Sequence, residues 1–113
     1  MSAIRNQVQL IGNLGKKPEI KSYGDDKKFA VFSLATSDYY VDQKGEKQQQ
    51  TQWHNIVVWQ KNLVTVAEKY LDKGMEIVLS GKLQYREYND KDGIKRTVTE
   101  ISADEILMLT KKN

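Results

Sequence analysis

The stretch Thr51–Trp59 (TQWHNIVVW) constrains this chain more than any other, because it holds both tryptophans and the only histidine. It is rich in β-branched and aromatic residues and lacks Gly and Pro, so it predicts a strand. Strand side chains alternate between faces. Trp53, Asn55, Val57 and Trp59 are therefore expected on one face, and His54, Ile56 and Val58 on the other. A core face would run unbroken aliphatic. Two indoles flanking an asparagine read instead as flat π surfaces offered to a flat ligand.

The flanking chain predicts a small all-β domain over residues 1–110. Arg5–Leu14 alternates, with Val8, Leu10 and Leu14 on one face and Gly12 breaking the strand. Gly15–Lys28 is a charged loop with Pro18 and Gly24, extended only around Ile20. Phe29–Ser37 is apolar on both faces, as a buried strand is. Tyr39–Gln50 turns at Lys44-Gly45 between two polar arms, a long exposed hairpin leading into the Trp53 strand. Asn62–Leu71 switches to helical period, with Leu63, Val66, Ala67, Tyr70 and Leu71 on one face, Asn62 as N-cap and Gly74 as stop. Met75–Tyr88 returns to strand. Ile77, Leu79, Gly81, Leu83 and Tyr85 share one face; Val78, Ser80, Lys82, Gln84, Arg86 and Tyr88 share the other. After the turn Asn89–Gly93, Ile94–Leu109 forms a last strand, bent near Ser102–Glu105. Three strands, a helix and two strands match a five-stranded Greek-key OB-fold barrel with one short helix between strands 3 and 4. An open antiparallel sheet packed on the helix has the same element count. Interior glycines in long strands favour the barrel.

Chemistry on this scaffold is confined to binding. The chain has no Cys, which excludes thiolate metal sites and Cys nucleophiles. His54 has no partner for general-base work. No phosphate loop, zinc-protease or nucleophile-elbow motif occurs. Asp25, Asp26, Asp90 and Asp92 read as solvated turn residues. No catalytic residue, metal or cofactor is therefore expected. No apolar run approaches membrane-spanning length, and Met1–Gln7 has no secretory core, so a cytoplasmic protein without a membrane partner is expected. The net charge of +3, from 18 basic and 15 acidic residues, fits an anionic ligand without specifying one.

Aromatic rings and cations together point further. Single strands of nucleic acid are held by stacking on aromatic faces and by cations along the phosphates. The candidate stackers are Tyr40, Trp53, Trp59 and Tyr88. The candidate phosphate contacts are Lys82, Arg86 and Arg96, with Arg5, Lys61 and Lys73 at the periphery. Aromatics also build cores; Tyr40 and Tyr88 fit that role less well because both adjoin charged loops.

In order along the chain, Asn6–Glu19 (NQVQLIGNLGKKPE), Phe32–Ser37 (FSLATS), Gly45-Glu46, Thr51–Val58 (TQWHNIVV), Val66-Ala67, Tyr70-Leu71, Lys73-Gly74, Gly81-Lys82-Leu83, Asp92-Gly93, Arg96 and Thr99-Glu100 resemble bacterial single-stranded DNA-binding proteins. The resemblance implies an OB-fold that coats single-stranded DNA with little sequence preference, as a homotetramer, near the nucleoid, in replication, recombination and repair. It implies stacking on Tyr40, Trp53, Trp59 and Tyr88, and a subunit interface at His54, Val8 and Leu10. Tyr40 and Tyr88 stand where tryptophan is common, Trp59 where phenylalanine is, and Asn55 where a basic residue is frequent. The family continues into a linker with an acidic tip that recruits repair and replication enzymes. This sequence stops at a short basic tail, Lys111–Asn113, so tip-mediated recruitment is not expected from it. A primosomal-type interaction protein or an RNA-binding OB module would use the same fold, and RNA competition would separate the latter.

Overall fold

Six strands and one helix make up the computed structural model, which describes residues 4–109. They are β1 (Val8–Leu14), β2 (Glu19–Ser22), β3 (Lys28–Val41), β4 (Lys47–Val58), α1 (Lys61–Tyr70), β5 (Glu76–Asn89) and β6 (Lys95–Met108). The sheet order is β1-β5-β6-β4-β3-β2, and a further β1–β3 pairing closes β1, β5, β6, β4 and β3 into a barrel. The expected five-stranded barrel is therefore present, with β2 as a short sixth strand paired along Lys28–Val31 of β3. The basic tail Lys111–Asn113 lies outside the described residues.

The barrel closes at two narrow seams. β4 and β6 run parallel and pair only through Ile56↔Ile101 and Val57↔Ser102. β1 reaches β3 only through Asn13↔Ala35 and Leu14↔Leu34. Two glycines make these approaches possible. A Cβ on Gly12 would strike the carbonyl of Ala35, and one on Gly81 the carbonyl of Ser102. The bend expected near Ser102–Glu105 is a register shift: Ser80 faces Glu105 but Gly81 faces Ala103, leaving Asp104 as the extra residue. Before β1, Asn6 extends the ladder with its side chain, donating to the Leu83 carbonyl and accepting the Leu83 N–H.

The core follows the alternation. Ala30, Phe32 and Leu34 of β3, Ile56 and Val58 of β4, Ile77 and Leu79 of β5, and Ile101 and Ala103 of β6 are buried. The helix departs from its expected face. Val64, Ala67 and Leu71 are buried, while Tyr70 is exposed. Apolar residues at 63, 64, 66, 67, 70 and 71 permit two neighbouring stripes, and docking against β2, β3 and β6 selects the one through Val64. Its N-cap is Gln60, without a side-chain cap bond, rather than Asn62. The helix ends as Leu71 turns extended and enters the core. Gly74 serves three residues later, at φ +86°, where its N–H meets the Leu14 carbonyl.

β3–β4 and β5–β6 run past the barrel as two hairpin arms, and the same turn closes both. Asp42 Oδ1 accepts the N–H groups of Lys44 and Glu46, and Oδ2 accepts the Gln48 amide. Asp90 Oδ1 accepts the N–H groups of Asp92 and Ile94, and Oδ2 the Arg96 guanidinium. Gly45 and Gly93 supply the positive φ each turn requires. The Glu46 N–H first, then Gln48, holds the Asp42 carboxyl below the usual carboxylate range; Arg96 first, then the Ile94 N–H, does so for Asp90. Asp90 and Arg96 thus act as parts of a turn.

Candidate nucleic-acid interface

Trp53 projects from the outer face of β4 with 62% of its surface exposed. It can lie flat there because Gly15 has no side chain: a Cβ on Gly15 would stand 2.6 Å from the indole Cζ3. Asn55 follows on the same face, but Val57 is buried between its register partners Val31 and Ser102. β4 ends at Val58, one residue before Trp59. Trp59 nonetheless stacks on Phe29, which alternates on β3 with Val31, Ser33 and Ala35, the partners of Val57, Asn55 and Trp53, so it stands on the outer side that carries Trp53. Six residues of extended chain, about 20 Å of backbone, separate the two positions.

Trp59 belongs to a second platform. Phe29 stacks on its indole, with centroids 4.7 Å apart and planes at 27°, and Tyr23 meets it edge-on at 5.5 Å. One indole face is thus covered by Phe29, and the residue remains 40% exposed. Lys27, Lys28 and Lys61 line the cleft beside it. This assembly is reached through β2 and its following loop. An aromatic within a charged loop marked Tyr40 and Tyr88 in the sequence, and the same criterion applied to Tyr23 would have found it.

Between the platforms runs a groove lined by Lys16, Lys17, Lys21, Asn55, Arg86 and Glu100. The β1–β2 loop, with Lys16 and Lys17, and β2, with Lys21, bring three lysines to the β5 arm, a meeting of segments some seventy residues apart that no local pattern reveals. Arg86 is not a free cation. Its Nε and Nη2 bind Glu100 Oε1 and Oε2 at 3.2 and 3.0 Å, and Gln84 reaches Oε1 at 3.5 Å. Glu100 is only 7% exposed. The Glu100 carboxylate holds the Arg86 guanidinium above its ordinary pKa, against the opposing effect of partial burial. The guanidinium also lies 5.8 Å from the centroid of the Tyr88 ring, which orients an exposed aromatic at the groove's outer end.

The remaining candidates are dispersed. Lys82 is exposed on the Arg86 face of β5, and Lys61 stands at the start of α1. Arg96 sits on the β5–β6 arm, bound to Asp90 at its turn. Arg5, before β1, and Lys73, before Gly74, are exposed and line neither the groove nor the cleft. Tyr40 is exposed on the β3–β4 arm, opposite Gln48. His54 faces the other way from Trp53, half-buried beside Leu34, with Nε2 2.9 Å from Thr36 Oγ1. Val8 and Leu10 are half-buried on β1. Among the described residues no three His, Cys, Asp or Glu side chains gather as a metal site requires, and no helix is long and apolar enough to cross a membrane.

A sequence model of the single-strand binding protein family matches residues 5–109. A single-stranded DNA-binding protein of Neisseria meningitidis is 42% identical over 108 residues, 96% of this chain and 62% of that protein. The chain thus spans under two thirds of that relative's length. One from Rickettsia felis is 36% identical over the whole chain and 78% of its own. Among solved structures, a Plasmodium falciparum SSB in complex with ssDNA superposes with a TM-score of 0.86 at 32% identity, covering 97% of this chain and 99% of that one. A single-stranded DNA-binding protein from Thermus aquaticus superposes with 0.78 at 28% identity, over 93% and 50% of the two chains. With the family model matched over residues 5–109 and relatives 36–42% identical over nearly its whole length, the chain belongs to the single-strand binding protein family.

Proposed function

We propose that this chain binds single-stranded DNA with little sequence preference and shields it during replication, recombination and repair. The observation that carries the reading is Trp53, an open indole face beside a groove bearing Lys16, Lys17 and Lys21. Bases stack on Trp53, on the free face of Trp59 and on Tyr88, with Tyr40 offering a ring on the β3–β4 arm. The groove lysines, Lys61, Lys82 and Arg86 neutralise phosphates, and Arg5, Lys73 and Arg96 add charge farther out. Stacking needs only the π face that every base has, so such a surface reads no sequence. The site acts by binding and has no chemical step. The cytoplasm, at the nucleoid, is where its ligand would be met. Titration with oligo-dT should quench Trp emission, with an affinity that falls steeply as salt rises. Unchanged emission with a long oligo-dT would remove the reading.

Arg86→Ala separates two roles. The salt slope should fall by about one unit, because one phosphate contact is lost. Urea unfolding should also show a loss of about 1–3 kcal/mol, because Glu100 stays buried without its bidentate partner. A changed slope with unchanged stability would mean the ion pair is incidental.

We further propose assembly as a homotetramer. Among the described residues, β1 pairs β3 only through Asn13 and Leu14, so its other edge is unpaired along Val8–Gly12. That edge suits an isologous strand-to-strand contact carrying Val8 and Leu10, with His54 near the subunit boundary. Ile11, Val78 and Leu107 form an apolar row across three strands, Ile11 and Leu107 well exposed. Light scattering should give four chains for the wild type and fewer for Ile11→Lys. Equal masses would place the interface elsewhere.

A further inference from the structure

Two adjacent tyrosines on the β3–β4 arm fall on opposite faces, and register puts Tyr39 on the face of Trp53. Ala35 pairs with Trp53 and Tyr39 with Gln49, so Ala35, Ser37 and Tyr39 share the outer face with Trp53, Thr51 and Gln49. Tyr40 pairs with Gln48 and shares the opposite face with Leu34, Thr36 and Asp38. Tyr39 is 67% exposed, and none of its ring surface is engaged by another aromatic among the described residues. Ser37 and Thr51, both short, pair between the two rings, and Gln49, opposite Tyr39, is tied down, its Nε2 donating to Ser37 Oγ at 3.1 Å. The path from Trp53 to Tyr39 is therefore open, and it spans four residues, about 13 Å.

Charge separates the faces further. The outer face continues past Tyr39 to Val41 and Lys47, which pair with each other. The Tyr40 face carries Asp38, and Gln48 opposite Tyr40 is bound to the Asp42 carboxylate. The Tyr39 face thus adds a cation along the path from Trp53, and the Tyr40 face does not.

We infer that Tyr39 is a base-stacking residue, taking a base of the same single strand that stacks on Trp53 and leading the phosphates toward Lys47. This inference rests on the proposed DNA binding, and the experiment keeps the two apart. The wild-type chain, Tyr39→Ala, Tyr39→Phe and Tyr40→Ala are titrated with oligo-dT by fluorescence anisotropy, with circular dichroism as the check on folding. Tyr39→Ala should weaken binding about tenfold, Tyr39→Phe should restore it to within about twofold, and Tyr40→Ala should cost less than Tyr39→Ala. Wild-type binding that Tyr39→Ala leaves unchanged would overturn this inference alone. So would a larger loss for Tyr40→Ala, or a failure of Tyr39→Phe to restore binding. A wild type that does not bind oligo-dT would overturn both readings.

Discussion

Trp53→Ala should weaken oligo-dT binding by about 1–3 kcal/mol, roughly 5- to 150-fold, while leaving the unfolding midpoint in urea unchanged. The two halves of this expectation have separate causes. The indole is mostly exposed and lies against the backbone of Gly15, outside the buried cluster formed by Leu34, Ile56, Val58, Ile77 and Leu79. Truncating it opens no core cavity, so the cavity cost that accompanies buried truncations does not arise. It does remove the largest open π surface on the binding face. Trp59→Ala is the internal contrast. Its ring stacks on Phe29 and meets Tyr23, so its loss should lower affinity and also cost about 0.5–1.5 kcal/mol of stability through the missing aromatic contacts. Unfolding of Trp53→Ala would show that this indole is core, and the binding surface would have to be drawn again.

Gly12→Ala and Gly81→Ala should each destabilise the protein by about 3 kcal/mol or more, the upper end of overpacking costs. A methyl added at Gly12 would meet the Ala35 carbonyl, and one added at Gly81 the Ser102 carbonyl. Neither obstacle is a side chain that can rotate away. Relief requires the strands to part, and they would part where the barrel has least to hold it. Gly12 lies beside the two-residue β1–β3 seam, and Gly81 beside the register shift and the short parallel β4–β6 pairing. With a total stability of about 5–15 kcal/mol for such a domain, either change removes a large share. Urea midpoints measure it directly, and near-wild-type midpoints would mean the barrel yields at these seams more easily than backbone contacts allow.

Much of this was legible in the residues. Period-two alternation separated the buried from the outer face of β4 and β5 as far as the barrel extends, whereas β3 read as apolar on both faces and is fully buried only at Ala30, Phe32 and Leu34. It failed at Leu83 and Tyr85, which continue the core face of β5 in sequence yet stand exposed on the arm. Nothing local tells a strand where its barrel ends. The helix was found, but its buried stripe moved by one position, because a ten-residue helix with five clustered apolar sites, and Leu71 just past its end, has two near-equivalent faces. β2 was seen only as an extended piece, since four residues carry too little pattern to compete with the Gly and Pro around them.

At the site the same division holds. The sequence by itself determined that Thr51–Val58 is a strand, that Trp53 and His54 point to opposite faces, and that glycines fall where a barrel must close. These are properties of one residue and its neighbours, set by backbone sterics and the pleat. Only the tertiary structure decided that Trp59 stacks on Phe29 and meets Tyr23, that Lys16, Lys17 and Lys21 face Arg86, and that Arg86 is already held by Glu100. Those facts depend on pairing between segments far apart in the chain. Such pairing is selected by the whole barrel's burial and closure, and no window of sequence contains it.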